Sequence, residues 1–213
     1  MVLGEMMKET IDNFNVLFYA EAAKTWKATR WMGRSVYQNP CDLWIFQEII
    51  VEKKPDFIIE CGTLFGGNTL YLASICDLVG KGTVFTIDIK PQRHPVTHKR
   101  IINLAGSSES PEIVNGIKEK VGDGTVMAIL DSAHWKRHVR KEMRAYSDIV
   151  TVGQYMIVSD TNINGHPITE VMYEGPWEAV QEFLASDDRY VIDKEREKFM
   201  LTFNPDGYLL RVK

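Results

Sequence analysis

From Pro55 onward, short apolar runs alternate with segments of helical periodicity, and this alternation most constrains what the chain can fold into. The apolar runs occupy residues 57–60, 83–88, 101–104, 126–131 and 155–158. The helical segments span residues 68–79, 111–120, 134–146 and 176–185. Short apolar strands that alternate with helices predict a doubly wound, Rossmann-like α/β fold, whose mostly parallel sheet is covered by helices on both faces.

The C-terminal end of the chain departs from this alternation. Residues 199–203 and 208–212 flank the turn sequence NPDG. Two such runs around a turn of this composition predict a hairpin. The last strand is therefore expected to run antiparallel to its neighbour.

The N-terminal part has a different character. Residues 1–54 show no strong strand signal, and residues 42–53 have helical spacing directly after the start signal Asn39-Pro40. We therefore predict a helical N-terminal extension over residues 1–54, acting as a lid or as an oligomer interface. The α/β domain would then span residues 55–213.

Composition excludes several classes of protein. The formal net charge is −4, so there is no general basic field for binding nucleic acid. The three cysteines are an odd number, which disfavours a disulfide scaffold and indicates a reducing compartment. No window approaches the roughly 20 apolar residues of a membrane span, and the first residues lack the apolar run of a signal peptide. We expect a cytoplasmic protein with neither nucleic acid nor membrane as a partner.

Glycines and acids follow the first two predicted strands, where parallel sheets bind their ligands. Gly62 and Gly66 allow a tight turn and a close approach of the backbone to a ligand. Their spacing differs from the GxGxxG pattern of dinucleotide sites, which disfavours a NAD-dependent oxidoreductase. Glu60 precedes this turn, and a carboxylate there suits a cationic or amine-bearing ligand. Asp88 ends the second strand, at the position that holds ribose hydroxyls in nucleotide-binding sheets.

Two further acids end neighbouring strands. Asp131 and Asp160 could converge on one hard cation, for which oxygen ligands favour Mg²⁺ over zinc. Each acid could instead be structural, Asp131 as a helix cap and Asp160 in an Asx turn. His134 and His166 are candidate general bases because the unperturbed pKa of histidine lies near working pH.

A local basic cluster follows the second strand. We expect it to be a solvated loop, and a contact with an anionic group of the substrate is the alternative. Its members are Lys90, Arg93, His94, His98, Lys99 and Arg100.

An ordered set of motifs resembles one protein family. The runs are IIECGTLFGGNTLYLA, FTIDI, AGSS, LDSAHWKRHV, VSDTNINGHP and GPWEAVQEFL. Together with NPCDLWIFQEII near the start, they resemble the cephalosporin hydroxylase family, which includes rhamnosyl and related sugar O-methyltransferases. The resemblance covers roughly residues 30–213. It implies the fold of class I S-adenosylmethionine-dependent methyltransferases and a homo-oligomer.

The resemblance also implies roles for individual residues. Around S-adenosylmethionine, the glycine turn and its flanking acid would line the methionine end, Asp88 would hold the ribose, and two serines would lie near the adenine. The first set is Glu60, Gly62, Thr63 and Gly66, and the serines are Ser107 and Ser108. Asp131 and Asp160 would bind Mg²⁺ or a similar ion, with Asp131 also at the cofactor. His134, beside the catalytic Asp131, would remove the proton.

The expected reaction is metal-assisted methyl transfer from S-adenosylmethionine to a hydroxyl of a small molecule, a sugar or a secondary metabolite. The family pattern has an acid where this chain has Ser159. Either Thr161 or Asn162 supplies the third oxygen ligand, or the site binds metal weakly or not at all. The first alternative is a non-haem iron hydroxylase that uses His134, Asp131 and His166. The second is a non-catalytic cofactor-binding protein, which Ser159 favours.

Overall fold

The computed structural model describes residues 2–90, 96–169 and 173–213. The six helices of this part of the chain are α1 (Val2–Ala20), α2 (Pro40–Lys53), α3 (Gly67–Val79), α4 (Pro111–Val121), α5 (Lys136–Tyr146) and α6 (Pro176–Ser186). Its nine strands are β1 (Arg30–Trp31), β2 (Arg34–Ser35), β3 (Phe57–Cys61), β4 (Thr83–Asp88), β5 (Ile101–Ala105), β6 (Val126–Leu130), β7 (Tyr155–Val158), β8 (Tyr190–Ile192) and β9 (Tyr208–Arg211). Short 3-10 helices cover Trp26–Ala28 and Lys194–Glu197.

Seven of these strands form one sheet in the order β5-β4-β3-β6-β7-β9-β8. The first five are parallel to one another, and β9 lies antiparallel to both β7 and β8. The predicted α/β class, with a mostly parallel sheet and an antiparallel C-terminal strand, is confirmed. The strand order reverses between β3 and β6, and this reversal opens a crevice at the carboxyl ends of those two strands.

Helices cover both faces of the sheet because successive strand residues point to opposite sides. Ile58 packs with the residues of α2 and α3, whereas its neighbour Ile59 packs with those of α4, α5 and α6. The alternation continues on β6, where Ile129 joins the first core and Ala128 the second. Strands buried on both faces explain why the sequence shows continuous apolar runs there.

Local signals explain where α2 begins. The side chain of Asn39 accepts a hydrogen bond from the backbone N–H of Cys41 at 2.9 Å, and Pro40 occupies the first helical position. The helix predicted over residues 42–53 is therefore present and starts two residues earlier. The division of the chain at residue 54 stays a prediction, and in the structure α2 shares a core with the sheet.

The predicted C-terminal hairpin is wrong in its first strand. Residues 199–203 are not a strand, and β9 pairs instead with β7 and with β8. Phe203 packs edge-on against the rings of Phe18, Tyr19 and Trp26. The apolar run before the turn therefore packs against the N-terminal segment and does not form a strand of the sheet.

One other feature of the described chain was not predicted. The N-terminal segment contains the small hairpin β1-β2, although no strand was expected before residue 55.

In the basic cluster, Arg93 and His94 lie outside the described residues. None of the helices that are described is long and apolar enough to cross a membrane.

Candidate active site

A cavity of about 320 Å³ lies at the carboxyl ends of β3, β4, β6 and β7. Most of the predicted site residues lie in its wall. They are Gly62, Thr63, Asp88, Asp131, His134 and Asp160. A second cavity of about 390 Å³ adjoins it and shares Gly62, Leu64, Asp88 and Ser132. The strand ends therefore bring residues that are far apart in the sequence to one place.

The glycine turn brings β3 close to β6. Gly62 has a φ of +98°, and a Cβ at this position would lie 1.9 Å from the backbone oxygen of Asp131. Gly66 has a φ of +74° and directly precedes α3. Both positions therefore require glycine, the first through close approach as well as through its backbone conformation.

Glu60 lies behind the cavity wall rather than in it. Its side chain is fully buried, and its carboxylate accepts hydrogen bonds from Asn68 at 2.8 Å and Thr86 at 2.6 Å, and a third from Thr69. Burial raises the pKa of Glu60 to about 7 against the lowering effect of these bonds. Thr86 also lies 2.7 Å, hydroxyl to hydroxyl, from Thr63, which does line the cavity. Glu60 therefore acts on the cavity through these threonines.

Asp88 closes the turn from the side of β4. Its carboxylate accepts hydrogen bonds from the backbone N–H groups of Leu64 at 3.1 Å and Lys90 at 2.9 Å. The residue lines both cavities, so it lies at the boundary between them. This is the place at which an acid can reach a ligand that occupies both spaces.

Asp131, His134 and Asp160 form a cluster in which one ligand atom from each lies within 4.8 Å of the others. The Nε2 atom of His134 is 3.3 Å from a carboxylate oxygen of Asp160. Burial, followed by the charge of Asp160, raises the pKa of Asp131 well above its ordinary value. The pKa of Asp160 is also raised by burial, although His134 opposes the shift. Two carboxylates in such surroundings favour a bound cation.

Gln38 contacts this cluster and was not predicted from the sequence. Its Nε2 donates to Asp131 at 2.6 Å, while its Oε1 is buried and has no hydrogen-bond partner among the described residues. No local motif signals this role, because Gln38 comes from the segment before α2. Two carboxylates and an unpaired amide oxygen are oxygen donors of the kind that a hard divalent cation prefers, and the imidazole lies beside them.

Thr161 and Asn162 were expected to supply the oxygen ligand that Ser159 does not, but neither lines the cavity that contains Asp131. The Thr161 hydroxyl donates to the backbone oxygen of Pro205 at 2.6 Å. Asn162 and Ser159 are buried, and neither lines the cavity that contains Asp131. Their side-chain polar atoms have no hydrogen-bond partner within the described chain. Gln38 is thus better placed than Thr161 or Asn162 to supply an oxygen.

His166 lies in a different place from His134. It lines a separate cavity, stacks on Trp177 at a centroid distance of 4.2 Å, and its Nε2 is 2.7 Å from Glu178. The iron site that the first alternative requires, with His134, Asp131 and His166, is therefore not assembled. His166 is a structural residue of the loop before α6.

The two serines predicted to lie near the adenine are placed differently from each other in the structure. Ser108 lines the second cavity, and its hydroxyl donates to the buried carboxylate of Glu142 on α5. Ser107 lines neither of the two cavities. Glu142, which also accepts from Ser132 at 2.7 Å, was not predicted because its role depends on the packing of α5 against two strand ends.

The N-terminal segment forms the outer wall of the first cavity. Its contributing residues are Tyr19, Trp26, Ser35, Tyr37 and Gln38. The rings of Tyr37 and Phe65 meet edge to face at 4.9 Å, which joins this wall to the glycine turn. A cavity with charged groups on the sheet side and aromatic rings on the outer side can hold a small organic ligand.

Comparison with known proteins finds a family model and related sequences that carry the same description. The family model described as "Rhamnosyl O-methyltransferase/CmcI" matches residues 23–212. A rhamnosyl O-methyltransferase of Mycobacterium leprae is 32% identical over 194 residues, which are 87% of this chain and 84% of that protein. One from Mycobacterium tuberculosis is 34% identical over 194 residues, covering 87% of this chain and 79% of the relative.

Solved structures share the fold. A CmcI structure described with Mg and SAM superposes with a TM-score of 0.66 at 19% identity, over 88% of this chain and 78% of that one. A calicheamicin methyltransferase superposes with a TM-score of 0.53 at 12% identity, over 79% of this chain and 76% of that one. At these identities the likeness extends to the fold alone.

Proposed function

The chain belongs to the rhamnosyl O-methyltransferase/CmcI family, and we propose that it is an S-adenosylmethionine-dependent, divalent-metal-assisted O-methyltransferase acting on a hydroxyl of a small molecule. The observation that carries the proposal is the cluster of Asp131, His134 and Asp160 beside the glycine turn. It combines a cation site, a base and a cofactor-sized crevice at the point where the strand order reverses.

The two adjoining cavities suit the two halves of the cofactor. Asp88 lies between them and would accept hydrogen bonds from the ribose hydroxyls. The methionine end would lie along Gly62 and Thr63, where the absence of a side chain at residue 62 lets a ligand approach the backbone. Glu60 would stabilise this turn from behind through Thr86 and Thr63.

Asp131 and Asp160 would hold the cation, with Gln38 supplying a neutral oxygen. Their carboxylates carry the negative charge that a divalent ion needs, and the unpaired Gln38 Oε1 is available to it. The CmcI structure described with Mg and SAM is consistent with Mg²⁺ as the ion. When bound, the cofactor supplies an electrophilic methyl group and the cation lowers the pKa of an acceptor hydroxyl.

His134 would take the proton that the acceptor hydroxyl loses as its oxygen gains the methyl group. Its Nε2 faces Asp160 at 3.3 Å, so a protonated imidazole would be stabilised by that carboxylate. The ring is half-buried in the cavity wall, where it can reach both a substrate and solvent. The cavity walls would align the hydroxyl oxygen with the methyl group and sulfur.

The acceptor would enter from the side of the N-terminal segment. Trp26 and Tyr37 form the aromatic wall there, which suits a sugar or a secondary metabolite, and the related mycobacterial proteins are named for a rhamnosyl acceptor. We also propose a homo-oligomer, since α1 exposes an apolar stripe that includes Leu3, Phe14 and Leu17.

A methyl-transfer assay with isotope-labelled S-adenosylmethionine tests the function. Rhamnosides, other glycosides and phenolic or macrolide metabolites would be offered as acceptors with Mg²⁺ present or chelated. We expect transfer to one acceptor class and its loss on chelation. Calorimetry with S-adenosylhomocysteine provides the control, because folded protein that fails to bind it would refute the proposal. Binding without transfer to any acceptor would favour the non-catalytic alternative.

A further inference from the structure

A fully buried carboxylate lies behind the second cavity. Glu142 Oε1 accepts hydrogen bonds from the hydroxyls of Ser108 and of Ser132, the latter at 2.7 Å. The Nε2 atom of His138 lies 3.3 Å from the same oxygen and 3.0 Å from the Ser132 hydroxyl. The hydrogen bond to Glu142 raises the pKa of His138, consistent with an N–H at this position. We name Ser108, Ser132, His138 and Glu142 the Glu142 cluster.

The Glu142 cluster fixes the direction of its two serine hydroxyl hydrogens. A serine hydroxyl has one hydrogen and two lone pairs. Because Ser108 and Ser132 both give their hydrogen to Glu142, each presents only lone pairs elsewhere. Both serines line the second cavity, whereas Glu142 lies behind them. The two hydroxyls therefore face a ligand as acceptors and require a donor from it.

The second cavity has the form of a nucleobase slot. It continues from Asp88, the proposed ribose ligand, and its apolar part is formed by Ile87, Ile89 and Ala133. The polar part beyond Asp88 is the serine pair of the Glu142 cluster, together with the ring of His138 and with Lys90. A flat base between apolar side chains would place its polar edge against these serines.

We propose that Glu142 is a positioning residue that makes this slot selective for a base with an exocyclic amino group, adenine rather than hypoxanthine. The inference rests on the proposed use of S-adenosylmethionine. The adenine amino group donates hydrogen bonds to acceptors, while the carbonyl oxygen of hypoxanthine at the same place would face two acceptor oxygens. A site whose polar groups are left unpaired by an analogue rejects it strongly.

The experiment compares two ligands that differ only in this group. Calorimetry would measure the dissociation constants of S-adenosylhomocysteine and S-inosylhomocysteine for the unmodified protein and for Glu142→Gln. We expect the unmodified protein to prefer the adenine ligand at least tenfold. In Glu142→Gln that preference falls at least fivefold, because the amide N–H turns one serine hydroxyl towards the cavity. A loss of packing alone would weaken both ligands and leave their ratio unchanged.

Two further variants complete the test. Glu109→Gln is the matched control, because the Glu109 carboxylate lies 3.8 Å from His138 Nδ1 and makes no hydrogen bond to either serine within the described chain, so the ratio should stay as in the unmodified protein. Ser132→Ala removes one acceptor and should also lower the ratio, which keeps the test open if Glu142→Gln does not fold. Equal affinity of the unmodified protein for both ligands would overturn the inference alone. Failure to bind either ligand would instead overturn the proposed function.

Discussion

Gly62 and Asp131 approach so closely that a Cβ on the glycine would lie 1.9 Å from the aspartate's backbone oxygen. The contact joins the ends of β3 and β6, between which the proposed cofactor and cation sites lie. The Gly62 N–H also donates to the backbone oxygen of Ile87 at 2.9 Å, so three strand ends meet at this residue. Backbone packing at the crevice thus sets the position of Asp131.

Gly62→Ala is expected to destabilise the protein by roughly 2–4 kcal/mol, since it combines a steric clash with an unfavourable φ. Urea unfolding measures the loss. Gly116→Ala is the control, because a Cβ at this helical position meets nothing within 4 Å and should stabilise by about 0.5–1 kcal/mol. Equal stability of the two variants would show that the close approach is not maintained.

The pH dependence of stability should reveal Glu60. Its pKa is about 7 in the folded protein against an ordinary value of 4.5, so the folded state binds more protons between these values. The free energy of unfolding should therefore fall as the pH rises from 4.5 to 7, and Glu60 contributes about 1–3 kcal/mol to that fall.

Glu60→Gln removes the charge and keeps the shape. Its amide can still meet Asn68 through oxygen and Thr69 and Thr86 through nitrogen. Urea unfolding at several pH values should show a shallower decline and a relative gain in stability above pH 7. The exposed Glu119→Gln serves as the control and should keep the slope of the unmodified protein. An unchanged slope in Glu60→Gln would contradict the prediction.

The sequence was most informative where local chemistry decides the structure. Apolar runs predicted β3 to β7 to within a residue or so at each end, and the acids at their ends converge because parallel strands share one edge. Prediction from the sequence failed where an apolar run could either form a strand or bury other side chains. Residues 199–203 resemble a strand, yet Phe203 is needed to bury the rings of the N-terminal segment.

The residues that reach the site from distant parts of the chain were also missed. Gln38 meets Asp131 across 93 positions, and Glu142 meets Ser108 across 34. Neither has a motif around it, because each role depends on how one helix or segment packs on the sheet. Such contacts are tertiary, so periodicity and spacing carry no signal for them.

Divalent cations should stabilise the protein through Asp131 and Asp160. Saturating Mg²⁺ or Mn²⁺ at 100 times the dissociation constant would add about 2.7 kcal/mol. A thermal shift measures the effect, which Asp160→Asn should abolish and the exposed Asp123→Asn should retain. Because burial raises the pKa of both carboxylates, protons compete with the ion, and affinity should weaken as the pH falls. An undiminished shift in Asp160→Asn would contradict the assignment.

His134→Gln should lower kcat by about 10²–10⁴-fold, the range expected when a general base is removed. Binding of S-adenosylhomocysteine should change little, because His134 lines the first cavity but not the second, which the proposed nucleobase would occupy. Steady-state kinetics and calorimetry on the same preparations separate the two effects. His166→Gln is the matched control, since that ring stacks on Trp177 in a separate cavity and its loss should leave kcat nearly unchanged. A His134→Gln variant with full kcat would show that another group takes the proton.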